Sequence, residues 1–278
     1  MDKVAVLIHG MWGTPHVWRH WRAFLEERGW TVMTPTLRHH DAPPLDPPAA
    51  LGATSLLDYV DDLESRIANL PSKPLVIGHS MGGLLAQKLA ARQLCAAAVL
   101  LCPAAPEGIF KLYPSAVRAF LRTQSRWRWW ARPHRPSFED AMYGAFNTCP
   151  DRQESGREYG RFVHESGRAL LEIALPLFDR RHAARVDAKD VTCPMLVIGA
   201  GQDRLTPPGM VRRVAAKYAH VAEHREFAEA CHWVLGQGMW RDIATTAADW
   251  ADAAMASRDT TLTDSDKRRA WRSSISTR

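Results

Sequence analysis

The sequence predicts an α/β fold in which a mostly parallel sheet is flanked by helices and interrupted by one largely helical insertion. Three observations carry this. Short apolar runs bounded by turn residues read as strands buried on both faces. Between most of them lie segments with apolar residues at helical spacing, and this alternation implies parallel strands joined by helical crossovers. Between Pro103 and about Asp190 the strand signal disappears, and the residues look helical and irregular.

The expected strands are Val4 to Ile8, Thr31 to Met33, Leu75 to Ile77, Ala97 to Leu101, Met195 to Ile198 and, less marked, Glu223 to Phe227. The expected helices are Val17 to Glu27, with Val17, Trp21, Phe24 and Leu25 on one face, and Leu56 to Leu70, with Leu56, Tyr59, Val60, Leu63 and Ile67 on another. Leu84 to Ala91 and Trp240 to Met255 complete the series. Pro43 to Pro48 is too proline-rich for a regular element and reads as a loop. The core is expected over residues 1–103 and 191–256, the insertion over 104–190, and a polar, disordered tail over 257–278.

With 46% hydrophobic and 24% charged residues, the chain falls outside the disordered and fibrous classes. Half of its formal charge of +6 sits in the tail. Its five cysteines are scattered with no C-x-x-C pair, so neither a disulfide framework nor a zinc knuckle is expected. Cys102 and Cys231, lacking an activating neighbour, read as packing residues. No apolar run reaches the roughly 18 residues of a membrane span, and the N-terminus enters Lys3 to Ile8 directly, so a cytoplasmic location is the expectation.

The chemical signal is Gly78-His79-Ser80-Met81-Gly82, followed by Gly83, directly after a strand and directly before a helix. A serine hydroxyl needs a base, and the base needs an acid to fix its tautomer. Asp203 follows the Met195 strand in Gly201-Gln202-Asp203-Arg204-Leu205-Thr206-Pro207, and His232 follows the next strand. Both would project from the carboxyl edge of the sheet, as would Ser80.

On His9-Gly10 after the first strand, the Ser80 motif, the Gly-x-Asp-x-x-x-Pro pattern and His232, the chain resembles the α/β-hydrolase superfamily over about residues 3 to 256. The resemblance extends to carboxylesterases, monoacylglycerol lipases and carrier-protein methyl ester esterases. It implies an α/β-hydrolase fold with a lid formed by the insertion, and a Ser80–His232–Asp203 triad that needs no metal or cofactor. It also implies an oxyanion hole from the backbone amides of Met11 and Met81, with Trp12 as a substitute for Met11. Some relatives of this kind carry the acid after the strand preceding the lid, which makes Glu107 the alternative to Asp203. His9 is expected to support its loop. His39, His40 and Asp41 replace a Gly-His-Gly stretch; a polar loop or a substrate contact is expected there rather than a metal site.

Trp12 and Trp233 are expected to line a substrate pocket. From Lys111 to Arg135 there are seven basic residues and no acidic one, interleaved with Trp127, Trp129 and Trp130. This segment is expected over the pocket mouth, facing an anionic or carrier-linked small-molecule ester; no nucleic-acid motif accompanies it. The expected activity is carboxylic ester cleavage through an acyl-enzyme on Ser80. The alternatives are a thioesterase or carrier-protein ester hydrolase, a cofactor-independent lyase or C–C hydrolase on the same triad, and a small-molecule receptor with little turnover.

Overall fold

The computed structural model describes residues 3–109 and 113–256. Lys111 and the expected tail over 257–278 lie outside the described residues. The six strands are β1 (Val4–Ile8), β2 (Thr31–Met33), β3 (Leu75–His79), β4 (Ala97–Leu101), β5 (Met195–Ala200) and β6 (Ala222–Phe227). They form one sheet in the order β2-β1-β3-β4-β5-β6, and every pairing is parallel. All carboxyl ends therefore share one edge.

Alternate residues of these strands feed two separate cores, because successive side chains point to opposite faces of a strand. Ala5, Leu7, Ile77, Val99 and Ile198 pack on the face covered by α1 (Arg19–Glu27) and α9 (240–256). Val6, Ile8, Val76, Ala98 and Val197 pack on the other, against α2 (Leu56–Ile67), α3 (Met81–Ala91) and α8 (Pro208–Lys217). Burial on both faces explains the unbroken apolar runs.

Element boundaries differ from the sequence reading where a turn residue is used inside an element. Gly78 and Gly199 stay in the ladder, so β3 and β5 run on to His79 and Ala200. In the other direction, α2 stops at Ile67: the Ala68 amide closes its last turn on the Glu64 carbonyl, and the Leu70 amide then turns back to the Ile67 carbonyl. Pro71 follows, and the residue before a proline is disfavoured in helical conformation. The segment expected as one helix from Val17 begins as a 3-10 turn, Pro15–Trp18, before α1.

Between β4 and β5 the insertion forms a helical lid: α4 (Pro114–Gln124), α5 (Phe138–Gly144), α6 (Arg152–Gly160) and α7 (Gly167–Ala174). Side chains of Ser137, Asp151 and Ser166 accept amide hydrogens at the starts of α5, α6 and α7. Each such cap is worth about 1 kcal/mol and fixes where these short helices begin.

The lid is tied to the sheet domain by a buried charge pair. His40 Nε2 lies 3.2 Å from Glu165 Oε2, and both side chains are fully enclosed. Tyr59 Oη donates to Glu165 at 2.7 Å and the Ser166 amide donates at 2.6 Å. Burial opposes charge on both groups, but their mutual attraction and hydrogen bonds prevail, holding the His40 imidazole above its ordinary value and the Glu165 carboxyl below. The polar-loop and substrate-contact readings of His39, His40 and Asp41 are thus corrected at His40. A buried partner 125 residues away in sequence recruits it.

Candidate active site

Every candidate side chain leaves the same edge of the sheet. Ser80 sits between β3 and α3 with φ 55° and ψ −119°, a left-handed conformation that costs energy for a side-chain-bearing residue. Backbone hydrogen bonds hold it there: its amide donates to Leu101 O at 3.0 Å, and its carbonyl accepts from Gly83 and Ala104, each at 2.9 Å, and from Leu84 at 3.3 Å. The turn exists because its flanks are glycine. A Cβ at Gly78 would lie 2.2 Å from Gly82 O, and one at Gly82 would lie 2.2 Å from Ile8 O. Gly82→Ala should therefore force α3 away from β1 and destabilise the protein by roughly 3 kcal/mol or more, at or above the usual cost of overpacking. A denaturant titration showing a loss under 1 kcal/mol would remove this account of the turn.

His9, His79 and Thr206 build the surroundings. Burial, with His40 nearby, pushes the His9 imidazole down to about 3, so it is neutral. Its Nδ1 donates to Gly10 O at 2.9 Å while its Nε2 accepts from the Leu37 amide, bracing the loop that carries Met11. His79 is likewise held well below its ordinary value by burial and by His232. Its Nε2 donates to the His232 carbonyl at 2.9 Å, with the two rings 4.7 Å apart. Sequence reading passed over His79, an unspecified position in the serine motif.

Asp203 is the acid that reaches His232: its Oδ2 accepts from His232 Nδ1 at 2.7 Å. Its Oδ1 accepts the amides of Leu205 and Thr206 at 2.8 and 2.9 Å, and Thr206 Oγ1 lies 2.8 Å from Oδ2. Glu107 turns instead to His182, 2.9 Å away.

The third member of this cluster overturns the expected serine esterase triad. Cys102, immediately after β4 at φ 45°, places its sulfur with the Asp203 and His232 donor atoms, all within 4.8 Å of one another. His232 Nδ1 is held by Asp203 and by Thr206 Oγ1. The clustered set is therefore Cys102–Asp203–His232, and Ser80–His232–Asp203 cleavage of a carboxylic ester is corrected on that finding. Cys102 had read as packing because no activating neighbour is close in sequence; the topology supplies two. Burial, then the adjacent Asp203 carboxylate, pushes the Cys102 thiol well up, so it rests protonated. Cysteine, aspartate and histidine are also metal-ligand types, yet both Asp203 oxygens and His232 Nδ1 already serve hydrogen bonds. This arrangement suits proton transfer.

A cavity of about 250 Å³ opens over these residues, and Met11, Trp12, Ser80, Met81, His232 and Trp233 all contribute to its wall. Cys102 and Asp203 are enclosed and lie outside that wall. The remaining lining is mostly apolar, including Val117 and Phe120 of α4 and Leu170 and Ile173 of α7. No arginine or lysine is among the described lining residues. Thus α4 does cover the cavity, but with its apolar face. Arg118 stacks on Tyr143 at 4.0 Å, and Arg122 bonds Ser137 of the α5 cap. The expected basic face looks away from the substrate space because its arginines find aromatic and polar partners within the lid.

Comparison with known proteins agrees with this architecture. A pyrethroid hydrolase from Sphingobium faniae JZ-2 superposes with a TM-score of 0.70 at 20% identity, covering 91% of this chain and 98% of that one. A monoacylglycerol lipase from Paleococcus ferrophilus gives 0.66 at 20% identity, covering 90% and 94%. A methylesterase from Arabidopsis gives 0.65 at 13% identity, covering 91% and 99%. At these identities the likeness is one of fold. No curated protein sequence matches the chain. No helix among the described residues is long and apolar enough to cross a membrane. The profile of the alpha/beta hydrolase family matches residues 5–246, and with the six-stranded parallel sheet and its helical lid this establishes that the chain belongs to that family.

Proposed function

We propose a thioesterase-like hydrolase that accepts an apolar acyl group in the cavity under the lid and cleaves its thioester. The observation that carries this reading is the Cys102–Asp203–His232 cluster beside an apolar cavity. His232 is the base, oriented by Asp203, and Cys102 supplies the thiol. The thiol attacks the thioester carbonyl and its proton passes to His232. The substrate's thiolate leaves and takes that proton. Water, deprotonated by His232, then attacks the acyl carbonyl; the C–S bond breaks, the acid leaves, and the Cys102 thiolate takes the proton back from His232. A thiol favours this substrate class over an oxygen ester: exchange between thiol and thioester is near thermoneutral, whereas expelling an alkoxide with a thiolate is uphill.

Ser80 and the backbone amides of Met11 and Met81 are proposed to face the reacting carbonyl, and Trp12 and Trp233 to pack against the acyl chain. The lid is proposed to span residues 104–190. The arginines on its outer side suit the anionic handle of a carrier-linked substrate.

Cys102 is fully enclosed, so the position of acylation is the deciding observation. The protein is incubated with medium-chain acyl thioesters and with the matching oxygen esters, quenched in acid and digested for peptide mass mapping. The expected result is preference for the thioester, an acyl adduct on Cys102, and loss of turnover by on the order of 10³-fold in Cys102→Ala. An adduct on Ser80 with Cys102→Ala still active would overturn the cysteine-based reading.

A further inference from the structure

The loop after α5 meets the His232 loop through a pair of cysteines distinct from Cys102. Cys149 Sγ lies 3.6 Å from Cys231 Sγ, joining residues 82 apart in sequence. Cys231 is buried and directly precedes His232, whereas Cys149 is partly exposed and so within reach of small solutes. The backbone around them already joins lid to loop: the Trp233 amide donates to Ala145 O at 3.1 Å, and Thr148 Oγ1 donates to Glu229 O at 3.3 Å.

We infer that Cys149 and Cys231 form a peroxide-sensitive dithiol site whose disulfide ties the lid to the His232 loop. The separation is that of two thiols in contact, close enough to bond after a modest shift toward the roughly 2.05 Å of a disulfide. The electrostatics agree with the geometry. The Cys149 hydrogen bond, opposed by burial and aided by Thr148 and the Trp233 amide, holds the Cys231 thiol down at about 6, while Cys149 is pushed up. The shared hydrogen bond thus favours the thiolate form at Cys231 over Cys149.

The chemistry balances with hydrogen peroxide as oxidant. Cys231 thiolate attacks one peroxide oxygen, giving a sulfenic acid and hydroxide, which takes up the proton already lost from Cys231 to become water. Cys149 sulfur then attacks the Cys231 sulfur; the S–S bond forms, and the sulfenic hydroxyl leaves as water with the Cys149 proton. Two thiols have lost two electrons, and one peroxide has become two waters.

Closing the bond draws Cys231 toward the lid, and the shift reaches His232 through one peptide link. A displacement near 1 Å at a catalytic group is enough to cost about 10²-fold in rate. The test treats the intact protein with hydrogen peroxide, counts free thiols after denaturation, and maps peptides without reduction. The expected result is loss of two of the five thiols and a Cys149–Cys231 cross-linked peptide. Turnover of an acyl thioester should fall about tenfold or more and recover with dithiothreitol. Cys149→Ser should keep basal turnover and become resistant to peroxide. A cross-link elsewhere, unchanged thiols, or equal peroxide sensitivity in Cys149→Ser would overturn the inference; the last result would point to oxidation at Cys102.

Discussion

Asp203→Asn should lower kcat by on the order of 10³- to 10⁴-fold while the protein stays folded. The carboxylate oxygens divide their work. Oδ1 is held by the Leu205 and Thr206 amides, and Oδ2 takes the proton side of His232 Nδ1. In the asparagine variant the carbonyl oxygen stays with the two amides, which leaves its NH₂ facing Nδ1. Two donors cannot face one another, so the imidazole moves its proton to Nε2, the nitrogen that must be free to accept one during reaction. His232→Ala should be at least as severe, and the double variant no worse than His232→Ala, because residues acting as one unit do not add. Steady-state kinetics on the purified variants, with thermal unfolding as the control for folding, check this. A kcat in Asp203→Asn within about tenfold of wild type would mean that Asp203 does not set the tautomer of His232.

Much of the fold was legible because a parallel sheet writes itself as unbroken apolar runs. Val4 to Ile8 and Ala97 to Leu101 are buried at every position and match their strands end to end. Edges and ends were less visible. In β3 and β5 the glycines sit inside the strand rather than stopping it, Gly78 because α3 approaches closely there, and a single chain does not distinguish the two uses. The insertion gave no element boundaries because its helices are short and their signals lie in caps such as Ser137 and Asp151 rather than in a long apolar face.

The site was legible where spacing along the chain carries the geometry. The strand, glycine-flanked turn and helix around Ser80 are one local unit, and Asp203 and His232 follow strands of the same sheet. Cys102 was readable by the same logic, since it too follows a parallel strand directly, but a cysteine there carries no motif. What sequence could not reveal were pairings made across the fold: His79 with the His232 carbonyl, Cys149 with Cys231, and His40 with Glu165. Each depends on segments brought together only by the complete topology.

The last of these pairings should dominate the stability of the lid. Glu165→Ala should destabilise the protein by about 3–5 kcal/mol, because it leaves His40 buried without its partner and strands the Tyr59 hydroxyl and Ser166 amide. Against a typical total of about 5–15 kcal/mol, this is a large share. Replacing both members, as in His40→Leu with Glu165→Gln, should cost clearly less than the two single changes together, since no buried charge is then left alone. The pH dependence has a definite sign on each side. The depressed Glu165 carboxyl contributes stability above its ordinary value of about 4.5, and this is lost as pH falls through the lower folded value. The elevated His40 imidazole contributes below its ordinary value of about 6.5, and this is lost as pH rises through the higher folded value. The pair is therefore strongest in the mildly acidic range between those ordinary values. Urea titrations of wild type and variants across that range should show a hump of pH-dependent stability that disappears in the double variant. A Glu165→Ala loss below 1 kcal/mol, or a hump that survives in the double variant, would show that the lid is held by its apolar contacts and caps alone.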